Sequence, residues 1–182
     1  MKVPTHLRQI AVPENDGLRL QCPCGCGSFL LYRNGYSPEE QAVLDAYEAE
    51  CSKLVGHGTI YGKSDADGTV HTYRRRFGLF RQEILLPERP FFADITVIKA
   101  ICAECNTEHL LFDNRLHGYD ALTEQETISY TVALYRPMTK KPCIIWIQLE
   151  WDDDPDAFGW IGIGVSSSAN GKMRRVFDAE TA

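Results

Sequence analysis

Leu20-Gln21-Cys22-Pro23-Cys24-Gly25-Cys26-Gly27-Ser28-Phe29 and, far downstream, Ile101-Cys102-Ala103-Glu104-Cys105 decide how this chain is read. Five of its seven cysteines lie in these two short turns. A turn of this kind can present two thiolates. Two such turns supply the four soft ligands of a closed, tetrahedral zinc site. A thiolate held in a protein interior needs a counter-charge, and Zn²⁺ provides one. The odd number of cysteines leaves no complete disulfide pairing. In a reducing compartment, clustered cysteines read as metal ligands or redox thiols before they read as disulfides.

Strand signals flank both turns. Leu18 to Cys22 alternates apolar and polar residues, which predicts a short strand over 18–24 that delivers the first turn. Phe29-Leu30-Leu31-Tyr32 reads as the returning strand, and Asn34-Gly35 as a turn after it. Residues 91–101 are rich in β-branched side chains and end at the second pair, and His109-Leu110-Leu111-Phe112 follows it. Strand, cysteine knuckle with glycine, strand, then strand, Cys-x-x-Cys, strand resembles a zinc ribbon. The resemblance covers Leu20–Phe29 and Ile101–Phe112, within elements at 18–32 and 97–113, with a large insertion between them. It implies a structural Zn²⁺. The second knuckle has the usual two-residue gap, whereas the first offers Cys22 with Cys24, Cys24 with Cys26, or Cys22 with Cys26. The favoured ligands are Cys22, Cys24, Cys102 and Cys105, because Gly25 then follows the second ligand as in Cys-Gly knuckles. Cys26 is the alternate.

Other cysteine chemistry fits less well. A catalytic zinc keeps one position open for water. The zinc-deaminase signature is missing, since no histidine is followed two residues later by glutamate and Ile101 stands where that motif has proline. A redox Cys-x-x-Cys usually opens a helix, whose dipole lowers the thiol pKa, but Cys102 ends a predicted strand.

Between the two turns lies one helix signal. Ser37 is placed as N-cap, Pro38 at the first helical position, and Glu40 completes a capping box. Val43, Leu44, Tyr47, Cys51, Leu54 and Val55 recur at helical spacing, with Cys51 as core filling, and Gly56 can stop the helix. The helical insertion is therefore expected at about 37–56. Elsewhere strand signals dominate: Thr59–Gly62, a turn at Asp65-Ala66-Asp67-Gly68, a strand from about Thr69, then Ile128–Arg136, Cys143–Trp151, Gly159–Val165 and Lys172–Phe177. The expected fold class is α+β and β-rich: a mostly antiparallel sheet, one long amphipathic helix and an embedded zinc-ribbon-like four-cysteine site, in a single domain over 1–182.

With 44% apolar and 24% charged residues the chain reads as globular. No apolar leader follows Met1, and the longest apolar run, Cys143 to Ile147, falls far short of a membrane span, so the expectation is a cytoplasmic, prokaryotic protein. A net charge of −6 argues against wholesale nucleic-acid binding. The charge is uneven: Lys53 to Arg81 carries six basic and two acidic residues, and Glu150 to Asp156 carries five acidic ones.

Three further segments carry polar chemistry. Asp113, His117 and Asp120, just after the second knuckle, can serve as base and orienting carboxylates of a hydrolytic site, or as a hydrogen-bonded loop. Arg74, Arg76 and Arg81, among Tyr73, Phe77 and Phe80, mix cations with aromatics as single-strand-binding surfaces do. The plainer reading is a charged edge strand. The acidic run after Glu150 reads as a solvated loop, and Trp146, Trp151 and Trp160 as core or interface anchors. The leading functional expectation is a binding or adaptor module with a structural zinc, acting on an unknown protein partner or by self-association. A nucleic-acid binder using Arg74–Arg81 and a hydrolase centred on Asp113, His117 and Asp120 are the alternatives.

Overall fold

In the middle of the largest sheet, Ile145 and Ile147 alternate with Trp146 and Gln148, and Ile161, Ile163 and Val165 alternate with Gly162 and Gly164. The isoleucines are buried, so the period of two puts one face of each strand into the core. The computed structural model describes residues 2–56, 59–64, 70–76, 80–117, 129–151, 158–167 and 171–180. In chain order the elements are β1 (Ala11–Glu14), β2 (Gly17–Leu20), β3 (Phe29–Gly35), α1 (Pro38–Val55), β4 (Thr59–Ser64), β5 (Val70–Arg76), β6 (Phe80–Glu83), β7 (Val97–Cys102), β8 (Glu108–Asp113), β9 (Leu134–Pro137), β10 (Ile144–Trp151), β11 (Phe158–Ser166) and β12 (Arg174–Glu180). The molecule is strand-rich with antiparallel sheets and one α-helix among the described residues, as its composition and patterning predict.

The chain divides into two units, Met1–Gly35 with Ile95–Ala182, and Tyr36–Asp94. In the first, one sheet runs β1-β2-β10-β11-β12 and another β8-β7-β3-β9. A single apolar cluster draws on both, including Leu18, Leu20, Phe29, Leu31, Ile98 and Ile145. Gly17 is required where β2 meets β10, because a Cβ there would fall 2.6 Å from the Ile147 carbonyl oxygen. β3 does not fold back on β2. The chain crosses at the first cysteine turn from one sheet into the other, where β3 pairs with β7, Phe29 opposite Cys102. Phe29 and Cys143 bridge the two sheets at this corner through paired backbone bonds of 2.8 and 2.9 Å.

The second unit holds α1 and the sheet β4-β5-β6. The helix starts as its sequence requires. Ser37 Oγ accepts from the Glu40 amide at 3.2 Å, Glu40 Oε2 accepts from the Ser37 amide at 2.7 Å, and Pro38 opens the helix. Gly56 ends it at φ 55°.

Several local expectations change. Asn34-Gly35 is not a turn but the end of β3. The Asn34 amide donates to Ile95 O and its Oδ1 accepts from Val97 N, both at 2.9 Å, so the side chain continues the ladder where backbone pairing with β7 stops. Residues 91–94 form a short 3₁₀ turn closed on the Pro90 carbonyl, and the strand begins only at Val97. The strand expected over 128–136 is β9, Leu134–Pro137, and the one expected over 18–24 stops at Leu20. On α1 only Leu44 is buried; Val43 is half exposed and Cys51 half-buried, so Cys51 does not fill a core. β1 escapes the sequence reading because Pro13 interrupts it, and the sheet edge tolerates a missing amide donor there. Asp65–Gly68, Thr69 and Ile128 lie outside the described residues. No helix among the described residues is long and apolar enough to cross a membrane.

Candidate metal centre

The first cysteine turn closes with Cys22 N–H donating to Cys26 O at 2.8 Å, and Gly25 N–H to Cys22 O at 2.8 Å. The second closes with Cys102 N–H to Thr107 O at 3.0 Å, and Asn106 N–H to Cys102 O at 3.1 Å. Three residues are thus enclosed in one turn and four in the other. The difference matches the spacing of the thiols, Cys-x-Cys against Cys-x-x-Cys. In both turns the residue after the second thiol takes a positive φ, 95° at Gly25 and 59° at Asn106. Glycine and asparagine are the residues that adopt this conformation at least cost. Ala103 N–H donates to Ser28 O at 3.0 Å and ties the two turns side by side.

This brings four sulfurs together. The Sγ atoms of Cys22, Cys24, Cys102 and Cys105 all lie within 4.8 Å of one another. The close contacts run between turns: Cys22 to Cys105 at 3.5 Å and Cys24 to Cys102 at 3.6 Å. Four sulfurs at about 2.3 Å from a tetrahedral zinc stand about 3.8 Å apart, so the set fits such an ion with little adjustment. The first cysteine of each turn, Cys22 and Cys102, is buried, and the second, Cys24 and Cys105, is exposed. Cys26 stays out of the cluster. Its Sγ accepts from the Ser28 amide at 3.4 Å and its side chain belongs to the apolar core.

The thiols differ in their readiness to ionise. Burial pushes Cys22 up to about 12. Hydrogen bonds to the Thr107 side chain, 3.1 Å away, and to its backbone hold Cys105 at about 6. Cys22 therefore gives up its proton only against a positive charge held among the sulfurs. His109 was not anticipated as a neighbour. Its Nε2 lies 3.4 Å from Cys22 Sγ, and burial holds its imidazole below the ordinary histidine range, in the neutral form that can donate one hydrogen bond to a thiolate. Its place four residues after Cys105 was the available signal.

The second candidate segment is organised differently. Asp113 is 3% exposed, and its carboxylate takes both arms of Arg115: Nε on Oδ1 at 2.8 Å and Nη2 on Oδ2 at 2.5 Å. His117 Nδ1 accepts the Asp113 amide at 3.1 Å, and its ring stacks on His6 with centroids 3.7 Å apart. Burial and the neighbouring His6 lower the His117 pKa to about 4. Asp113 and His117 thus meet through the backbone, as parts of a clamped loop. Asp120 lies outside the described residues.

The arginine segment is split by its strand. On β5, Arg74 donates to Leu54 O at the end of α1 and to Gln82 Oε1, both at 2.5 Å, which makes it part of the fold of that unit. Arg76 closes β5, and its side chain is not among those described. Arg81, on β6, instead lies over the Tyr73 ring at 3.6 Å from its centroid. Of the tryptophans, Trp151 packs against the core and edge-on to Phe158, while Trp160 lies over Gly162 with Arg175 above it at 4.9 Å. Asp152–Asp156 lie outside the described residues. No protein-family model, curated protein or solved structure matches the chain.

Proposed function

We propose that Cys22, Cys24, Cys102 and Cys105 hold a structural Zn²⁺ in a zinc-ribbon-like arrangement, and that the protein is a cytoplasmic binding or adaptor module whose first unit is clipped together by this ion. The convergence of four thiols, in close pairs whose members lie 78 and 83 residues apart in sequence, carries the reading. Four thiolates complete the coordination of zinc and leave no position for water or substrate. The ion supplies the counter-charge that lets buried thiols ionise, and its binding energy adds to folding. Because the first turn is the crossing between sheets, the clip lies where the chain changes layers.

The test is metal content together with folding. Purified protein should carry one zinc per chain, and Co²⁺ put in its place should show the intense thiolate-to-metal absorption of a four-sulfur site. The Cys102→Ser/Cys105→Ser double variant should lose both metal and thermal stability. Zinc absent from the native protein, or lost without any change in unfolding, would defeat the structural reading.

A further inference from the structure

Cys143, just before β10, and Val165, near the end of β11, are buried members of the apolar cluster of the first unit. Beside them opens a cavity of about 650 Å³, a size that suits a small molecule. Its far wall is the loop 138–142 after β9, which is tied to β3. Met138 N–H donates to Leu31 O at 2.8 Å, and Leu31 N–H donates to Thr139 Oγ1 at 3.1 Å. Four exposed cations line the cavity: Lys140 and Lys141 from that loop, and Lys172 and Arg174 from the start of β12. Met173 covers Gly164 on one face of the sheet, so its neighbour Arg174, opposite Val165, turns to the other. Among the described residues no carboxylate lines the cavity, and none of the four cations is in an ion pair. Cys143 adds no negative charge. Burial raises its thiol, against the pull of the Thr139 hydroxyl and the Arg174 charge, and Sγ donates to Phe29 O at 3.4 Å.

We propose that this cavity binds a small oligophosphate, two or three linked phosphates either free or carried on an organic body. The chain has 25 acidic residues against 19 basic ones, so a cavity that gathers four cations and no acid is a local departure from its charge, complementary to an anion. Each phosphate group carries roughly one to two negative charges at pH 7, and two or three of them balance four cations. Arg174 can take one phosphate by two parallel N–H bonds, while the lysines act as point charges along the rest. The Ser167 hydroxyl on the exposed rim is a further donor. Met138, Pro142 and Val165 give the cavity an apolar side that suits an organic body.

Isothermal titration calorimetry of the full-length protein with inorganic triphosphate and with ATP tests this. Both should bind at about 50 mM salt with Kd below about 1 mM, and more weakly at about 200 mM salt. Tighter binding of ATP would show the apolar side holding an organic body, and binding no tighter than triphosphate would show that the phosphates suffice. An exposed charge pair is worth roughly 1.5- to 5-fold in affinity, so Lys140→Gln/Lys141→Gln and Lys172→Gln/Arg174→Gln should each weaken binding by roughly 2- to 25-fold. Lys53→Gln/Lys63→Gln, which removes the same charge from the second unit, should bind like the native protein. Circular dichroism of every variant separates lost binding from lost folding. Four results would each overturn the proposal: neither anion binding at low salt, cavity variants that bind normally, a control variant weakened as much, or citrate binding as tightly as triphosphate.

Discussion

The first cysteine turn separates its two clustered thiols by one residue and the second by two, yet the turns present their sulfurs alike. In each the leading cysteine is buried, the trailing one is exposed, and a residue of positive φ follows it. The shorter gap is absorbed by a shorter enclosed turn, three residues against four. What the two share is therefore a backbone shape, and the Cys-x-x-Cys spacing is only one way of reaching it. They differ in their setting. The second turn is a hairpin within one sheet, β7 to β8, whereas the first carries the chain between sheets.

The most severe test of this equivalence exchanges thiols one at a time. Cys22→Ser, Cys24→Ser, Cys102→Ser and Cys105→Ser should each lower zinc affinity by more than the roughly 10- to 100-fold that loss of an outer hydrogen-bond partner costs. Cys26→Ser should retain one zinc per chain. Chelator competition reads both. A Cys26→Ser protein that loses its metal would break the equivalence and move the ligand set within the first turn.

Acid should reveal a second difference, because the strand leaving the second turn ends beside the half-buried, stacked pair His6 and His117. The unfolded chain takes up a proton on His117 at about 6.5, and the folded chain only at about 4. Between these values the unfolded state binds the extra proton, so stability present above pH 6.5 declines as pH falls towards 4. Asp113, which favours the charged ring, and His6, which opposes it, set the balance locally. Urea midpoints measured across this range should decline less steeply in His117→Gln than in the native chain, and the difference between the two isolates this site from protonation of the thiols.

The finest comparison is between the two residues of positive φ. Nothing lies within 4 Å of a Cβ built on Gly25, so Gly25→Ala meets no clash and its cost is conformational alone, about 1–2 kcal/mol. Asn106→Gly should be within about 0.5 kcal/mol of native. Thermal unfolding of the zinc-loaded variants decides it, and a silent Gly25→Ala would mean that the first turn does not need the shape it shares with the second.

Features that depend on near neighbours were legible in the sequence. The capping box at Ser37 and Glu40 and the two cysteine turns are complete within a few residues, and each formed as read. Pairing was not legible. Nothing near Phe29 says that its strand joins β7 rather than β2, because that choice rests on Leu18, Leu31 and Ile98 meeting in one core. Asn34-Gly35 misled for a related reason: the dipeptide suits a turn, but the Asn34 amide is used by Ile95 and Val97, remote in sequence. The arginines failed on direction. Arg74 and Arg81 read as one cluster, whereas the register of β5 and β6 sends them to opposite faces.

The hydrogen bonds of Asn34 have a consequence for how the molecule can be edited. Arg33 faces Ile98 in the β3–β7 ladder. From the side of the first unit, everything between them is the loop of a single β-hairpin, grown to hold Tyr36–Asp94. Closing a loop costs only about 0.6 kcal/mol for each doubling of its length, so replacing that segment by a turn of about four residues changes the closure cost by roughly 2.4 kcal/mol. In chain order the second unit is thus an insertion into one hairpin loop, and Asn34 is the staple that holds the mouth of that loop shut.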